Sequence, residues 1–138
     1  MQSDRELLEL AARANWAQDV ANDEISLRYC VINDGILYLH ADNQDHNGHD
    51  REFVWNPLTD DGDALRLAVK LNLTTVFHPA LGQALCRPYW STDMGKESRE
   101  DVEKHANDPY AATRRAIVRA AAEIGAHPKQ HNDGGADE

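Results

Sequence analysis

The chain is poor in positive charge. Its 138 residues include 14 lysine and arginine residues against 24 aspartate and glutamate residues, and the formal net charge is −10. A protein that binds nucleic acid by neutralising phosphates has the opposite balance, so we expect no direct nucleic-acid binding. Seven acidic residues and one basic residue fall between positions 42 and 63, and an electrostatic partner of that segment should be cationic.

Long apolar runs are also missing. No run approaches the roughly 20 residues of a transmembrane helix, and residues 2–6 are all polar or charged, unlike the hydrophobic region of a signal peptide. With 41% hydrophobic and 28% charged residues, the composition is typical of a globular protein, and the length fits one domain. The sequence therefore predicts a cytoplasmic protein that does not contact a membrane.

Cysteine is scarce, and no catalytic motif occurs. Cys30 and Cys86 lie in apolar runs without metal or redox spacing, so we expect two buried thiols. A disulfide between them would require neighbouring strands. The sequence has no Gly-rich phosphate loop, no HExxH and no CxxC. It predicts no cofactor and no catalytic residues, and it favours a protein that is not an enzyme.

The hydrophobic pattern predicts an α+β fold with the order α-β-β-α-β-β-α and a mostly antiparallel sheet. A capping box predicts the first helix, and Asp108 followed by Pro109 predicts the start of the last, which should stop at Gly125. Pro88 indicates a sheet edge or a strand end. The helices are expected at 4–15, at 60–71 with either Thr59 or Asp60 as the N-cap, and at 109–125. The strands are expected at 27–32, 36–40, 73–77 and 83–90, and loops at 41–52 and 91–108, with a short helical turn near 98–105.

The first two strands are apolar at consecutive positions, which indicates that helices cover both faces of their hairpin. The helix at 60–71 is apolar on nearly every side, so we expect it to be mostly buried. Gly62, within it, would let another backbone approach closely. Three arginines of the last helix are expected on its solvated face: Arg114, Arg115 and Arg119.

Residues 55–69, Trp-Asn-Pro-Leu-Thr-Asp-Asp-Gly-Asp-Ala-Leu-Arg-Leu-Ala-Val, resemble the signature of the phage ABA sandwich domain family. Residues 4–12 and 112–121 are also similar to that family, so the resemblance covers most of 4–125. It implies a three-layer α/β/α sandwich in a phage or prophage protein, without assigned catalytic residues. We expect a single domain over 1–125, and the polar composition predicts a disordered tail over 126–138.

The segment 55–63 carries the candidate ligand or partner residues. Trp55 is a candidate stacking platform and Asn56 a candidate amide donor. Asp60, Asp61 and Asp63 could hold a divalent cation or a basic partner. The structural interpretations are a packed connection before the helix and favourable interactions with the helix dipole, and these explain the same residues without a ligand.

A second candidate is a metal site in the loop between 42 and 50. Its potential ligands are Asp42, Asp45, His46, His49 and Asp50. The spacing matches the first half of a calcium loop, but Val54 occupies the position of the bidentate glutamate. A solvated hairpin loop is the simpler interpretation.

The sequence thus favours a small phage or prophage accessory protein that acts through protein–protein contacts or as a homo-oligomer, in the host cytoplasm if phage-encoded. One alternative is a metal- or small-ligand-binding domain with hydrolytic activity. Another is an acidic mimic of DNA, since carboxylates can imitate phosphates.

Overall fold

The computed structural model describes residues 3–17, 27–32, 35–44, 50–89 and 97–127, and only the backbone at 27–32, 37–44 and 50–53. Three helices and six strands lie in these ranges. Their order is α1 (Asp4–Asn15), β1 (Leu27–Ile32), β2 (Gly35–Gln44), β3 (Asp50–Trp55), α2 (Asp61–Lys70), β4 (Leu73–His78), β5 (Gln83–Pro88), β6 (Ser98–Asp101), a 3-10 helix (Val102–His105) and α3 (Pro109–Ala126).

The strands form two antiparallel sheets, with the orders β1-β2-β3 and β4-β5-β6. The predicted α+β class is confirmed, and the packing of helices on sheets is compatible with a sandwich. The structure adds β3 and β6 to the predicted order, so the loop prediction for 41–52 is wrong where β2 and β3 occupy it. The helical turn predicted near 98–105 is wrong at 98–101, which is β6, and confirmed at 102–105 by the 3-10 helix. Both strands are rich in charged residues, so their local pattern does not predict a strand. They are extended because they pair with β2 and β5.

The start of α1 agrees with the sequence. The Ser3 side chain accepts a hydrogen bond from the Glu6 amide at 3.2 Å, and the Ser3 amide donates to Glu6 Oε1 at 2.9 Å, which is the predicted capping box. The hydrogen bond from the Ser3 backbone is the main cause of a lowered pKa at Glu6. The helix then buries its apolar face, which comprises Leu7, Leu8, Ala11 and Ala12.

The central element of the core is α3. Its N-cap is Asp108, whose Oδ1 accepts from the amides of Tyr110 and Ala111 at 3.0 and 3.3 Å, and Pro109 opens the helix as predicted. Nine of its 18 residues are buried: Ala112, Ala116, Ile117, Val118, Ala120, Ala121, Ala122, Ile124 and Gly125. Because most of these side chains are small, neighbouring elements can approach the helix axis closely.

The predicted stop at Gly125 is wrong. The helix continues to Ala126, and Gly125 is buried where α3 crosses α1. A Cβ atom at this position would lie 1.9 Å from the Leu10 carbonyl oxygen and 2.8 Å from its carbonyl carbon. Glycine is therefore required by the distance between two helix backbones, a constraint that the C-terminal pattern of a single helix does not reveal.

The prediction that the middle helix is mostly buried is also wrong. The N-cap of α2 is Asp60, one of the two residues proposed, but the side chains of Leu65 and Val69 are 64% and 67% exposed. Only Ala64, Leu67 and Ala68 of this helix are buried. Gly62 does not admit another backbone, since an added Cβ would meet only side-chain atoms of Arg66 and Asp60 at 3.2 Å.

The three arginines of α3 are not simply a solvated face. Each reaches a carboxylate on another element: Arg114 binds Asp61 at 2.6 Å, Arg115 binds Asp4 at 2.6 Å, and Arg119 binds Glu100. Arg114 Nε also donates to the Leu58 carbonyl oxygen at 2.8 Å. These contacts connect α3 to the starts of α2 and α1 and to β6.

The hairpin of β1 and β2 is confirmed by the pairing of Ile32 with Gly35, while the turn residues themselves lie outside the described ranges. Gly35 has φ +139°, and a Cβ there would lie 2.5 Å from the Trp55 carbonyl oxygen, so both its φ and its space require glycine. Whether helices cover both faces of this hairpin involves side chains that the structure does not describe.

Pro88 is the last residue of β5, the middle strand of its sheet, so the strand-end alternative is confirmed and the edge alternative is wrong. The predicted tail over 126–138 lies outside the described residues except for Ala126, which ends α3, and His127. Among the described helices, none has the length and apolar character needed to cross a membrane.

We expect Gly125→Ala to lower the free energy of unfolding by more than about 2 kcal/mol, because the new methyl group forces α1 and α3 apart. Denaturant unfolding followed by circular dichroism measures this change. Gly62→Ala is the matched control, and it should raise stability by up to about 1 kcal/mol because its methyl meets only flexible side-chain ends. Equal effects of the two variants would contradict the proposed backbone contact.

Candidate functional sites

Trp55 is a core residue in the structure. It is buried, and the centroid of its ring system lies 5.1 Å from that of Trp16 at an interplanar angle of 55°. Such tilted aromatic pairs stabilise a core beyond the area that they bury. Trp55 therefore anchors the segment before α2 to α1, and its predicted role as a stacking platform for a ligand stays a prediction.

The polar residues that follow organise the start of α2. The backbone amide of Asn56 donates to Asp63 Oδ2 at 2.9 Å, and its side-chain oxygen Oδ1 accepts from the backbone amide of Leu58 at 3.0 Å. Asp60 Oδ2 accepts from the Asp63 amide at 2.8 Å, and Asp61 pairs with Arg114. Each predicted site residue here has an intramolecular partner, so the capping interpretation accounts for the geometry, and the ligand role stays a prediction.

The predicted metal loop falls mostly outside the described residues. Asp45, His46 and His49 are not described, and Asp42 and Asp50 are described only as backbone positions of β2 and β3. In the described part of the chain, no three His, Cys, Asp or Glu side chains are grouped as metal ligands would be. The loop site therefore stays a prediction.

An apolar groove of about 570 Å³ lies between α2, β4 and α3. We call it the α2–α3 groove. Its lining residues are Asp61, Ala64, Leu65, Ala68, Thr75, Phe77, Pro109, Tyr110, Thr113, Arg114 and Ile117. Sequence reasoning missed it because it assigned Leu65 to the core. Tyr110 follows the N-terminal proline of α3, and it is exposed in the structure. An aromatic residue at that position is the sequence signal that could have indicated an apolar surface here.

A second cavity, of about 560 Å³, has polar walls. We call it the β6–α3 pocket. It is lined by Leu7, Arg99, Glu100, Asp101, Lys104, His105, Arg115 and Arg119. Four of these eight residues are lysine or arginine, two are acidic and one is histidine. The sequence did not indicate this pocket, because its residues come from α1, β6, the 3-10 helix and α3, which are distant along the chain.

Glu100 is the central residue of the β6–α3 pocket. It is only 8% exposed, and its two carboxylate oxygens have different partners. Oε1 lies 2.8 Å from His105 Nε2, and Oε2 accepts a hydrogen bond from Arg119 Nη1. The same Arg119 nitrogen donates to the Arg99 carbonyl oxygen at 3.1 Å. Because a buried carboxylate is stable only when it is paired, Glu100 holds the side chains of His105 and Arg119 along one wall.

Cys86 is the only nucleophile-type thiol whose side chain the structure describes. It is a free cysteine, fully buried in β5, and its Sγ lies 3.5 Å from Thr75 Oγ1. Burial raises the pKa of the Cys86 thiol to about 11, above its ordinary value of 9.0. A protonated, inaccessible thiol is a packing group and not a nucleophile, which agrees with the predicted role of Cys86.

Neither a family model, nor a curated protein, nor a solved structure matches the chain. The resemblance to the phage ABA sandwich family thus stays a prediction.

We expect Cys86 to react very slowly with a thiol reagent at pH 8 in the folded protein, since about one thiol in a thousand is ionised at that pH and the sulfur has no access to solvent. A Cys30→Ser variant isolates this thiol, and labelling before and after addition of urea gives the comparison. Fast labelling without urea would contradict the burial of Cys86.

The same pKa shift has a consequence for stability at high pH. The unfolded thiol ionises from about pH 9 whereas the folded one ionises near 11, so the folded state should lose stability as pH rises through this interval. A Cys86→Ala comparison in the Cys30→Ser background should remove that part of the alkaline dependence.

Proposed function

We propose that this protein is a small accessory protein of the phage or prophage type that acts through protein–protein contacts in the cytoplasm, and that its first partner is a second copy of itself. The observation that carries the proposal is the exposed apolar surface formed by α2, β4 and α3. The resemblance of residues 55–69 supports the phage part of the proposal, and the geometry supports the contact part.

The surface is apolar where a monomer would be expected to be polar. Val69 and Leu65 protrude from α2, Tyr110 from α3, and Phe77 is 40% exposed on β4. Leu65, Phe77 and Tyr110 line the α2–α3 groove, whose floor includes the small residues Ala64 and Ala68. Contiguous apolar surface of this kind commonly marks a protein interface. Protruding rings and a floor of alanines make a surface that can fit a copy of itself.

The strand β4 adds backbone hydrogen-bonding groups to this surface. It is an edge strand, and no described strand pairs with its outer side. Its pairing with β5 is regular from Leu73 to His78, without a bulge, and the strand contains no proline, lysine or acidic residue. Natural edge strands usually carry such features to prevent pairing. An antiparallel contact between two β4 strands would join two sheets and place the exposed faces of two α2 helices near each other.

The charge distribution favours this surface for contact between copies. Each chain carries a net charge of −10, so two copies repel each other over most orientations. The residues from Leu73 to Phe77 carry no charge, and they offer an approach with little repulsion. Association driven by apolar area against long-range repulsion becomes stronger as salt screens the charges, which distinguishes it from binding of a basic partner.

We expect the wild-type chain to form dimers with twice the 15.5 kDa mass of the monomer, and added sodium chloride should tighten their association. Analytical ultracentrifugation over a concentration series measures both. Leu65→Glu should weaken association by at least about tenfold, because it introduces a desolvated charge into the interface. Val76→Lys should weaken it as well, by charging the edge strand.

The matched control is Leu81→Glu, since Leu81 is 68% exposed in the turn between β4 and β5 and outside the groove. It should leave the dimer unchanged within twofold. A wild-type monomer at every concentration tested, or equal dissociation by Leu65→Glu and Leu81→Glu, would overturn the proposal.

A further inference from the structure

We propose that the β6–α3 pocket binds a small phosphate-bearing molecule. This inference does not depend on dimerisation, because the pocket and the α2–α3 groove share no lining residue. The local charge, the positions of the polar side chains and the size of the cavity all favour such a ligand.

The pocket is a local exception to the charge of the protein. Its walls carry four lysine and arginine side chains against Glu100 and Asp101, and Asp4 and Glu97, which pair with Arg115 and Arg99, bring the local balance to zero without His105. The chain as a whole carries −10, so all of the excess negative charge lies outside the pocket. Because the rest of the surface has an excess of negative charge, it repels anions. An anion can therefore bind only where local cationic groups hold it. Low-dielectric walls strengthen the field within such a concavity.

His105 and Arg119 are held in position before any ligand arrives. Glu100 uses one oxygen for His105 and the other for Arg119, which keeps the imidazole and the guanidinium together on one wall. Both hydrogen bonds of Arg119 to described residues use Nη1, so Nε and Nη2 remain as donors for an anion. Glu100 is a positioning residue, since its own charge is already paired.

Two further cations have partners that an anion can replace. Arg115, with a side chain 22% exposed, pairs with Asp4, whose side chain is 70% exposed. Lys104 pairs at 3.6 Å with Asp101, and both side chains are substantially exposed. Exposed pairs contribute roughly 0–1 kcal/mol, so exchanging the carboxylate for a more highly charged ligand costs little.

The donors favour phosphate over a planar carboxylate. They come from β6, the 3-10 helix and α3, so they reach the cavity from several directions, and a tetrahedral dianion has oxygens for all of them. Guanidinium groups bind phosphate oxygens in pairs, and an ammonium group adds a point charge. A cavity of about 560 Å³ lies within the usual range for small-molecule sites, roughly 300–1,000 Å³.

The test is titration calorimetry of the full chain with pyrophosphate, inorganic phosphate and citrate. Pyrophosphate should bind more tightly than citrate, and added salt should weaken its affinity. Arg115→Gln should reduce pyrophosphate affinity at least about tenfold, the loss expected for one charge-assisted hydrogen bond. Arg13→Gln is the control, because it removes the same charge from an exposed pair outside the pocket, and it should change affinity less than twofold.

Glu100→Gln separates positioning from contact. It removes a negative charge, which alone would strengthen anion binding, but it also releases the side chains that Glu100 holds. We expect weaker pyrophosphate binding despite the more positive pocket, with thermal unfolding used to confirm that the variant is folded. Absence of heat with pyrophosphate, tighter binding of citrate, or equal losses in Arg115→Gln and Arg13→Gln would each overturn the proposal.

Discussion

The structure depends on the close crossing of α1 and α3, where the buried Gly125 faces the carbonyl of Leu10. No side chain can fit between the two backbones there, so this close distance between the helices requires a residue without a side chain. The alanines along α3 extend the same condition, because a helix that buries mainly methyl groups can be approached closely on several sides. Once the crossing is formed, the ends of α1 and α2 come within reach of long side chains on α3. The arginine contacts therefore depend on the helix packing, and each contributes little if the helices separate.

The two proposed surfaces use different sides of this helix. Tyr110, Thr113, Arg114 and Ile117 follow one another at helical spacing and line the α2–α3 groove, whereas Arg115 and Arg119 are one turn apart and line the β6–α3 pocket. The buried stripe between them belongs to the core. A single helix thus gives a mostly apolar wall on one side and a cationic wall on the other. This arrangement separates contact with a protein from contact with a small anion, since neither requires residues of the other.

Sequence reasoning succeeded where the physical cause is local. The Ser3–Glu6 capping box and the Asp108–Pro109 start act within one helical turn, and both were predicted correctly. It failed where the cause lies elsewhere in the fold. β6 is built from Ser-Arg-Glu-Asp, which has no strand pattern, and it exists because β5 pairs with it and Arg119 neutralises Glu100. The exposure of Leu65 and Val69 on α2 also depends on a part of the fold that is distant in sequence. Their apolar character is evident from the sequence, but which side of the helix meets the core depends on the position of α3.

Anion binding in the pocket need not weaken the fold that forms it. The ligand would compete with Asp4 for Arg115, at the first turn of α1, where the carboxylate is mostly exposed. The stability of α1 against α3 comes instead from Leu7, Leu8, Ala11 and Ala12, which are buried, and from the crossing at Gly125. Release of Asp4 leaves these contacts intact, and the carboxylate still interacts favourably with the N-terminal end of its own helix. The ion pair is thus replaceable while the apolar contact is not. A protein with so few positive charges can keep several of them in one pocket because the packing of its helices does not rely on them.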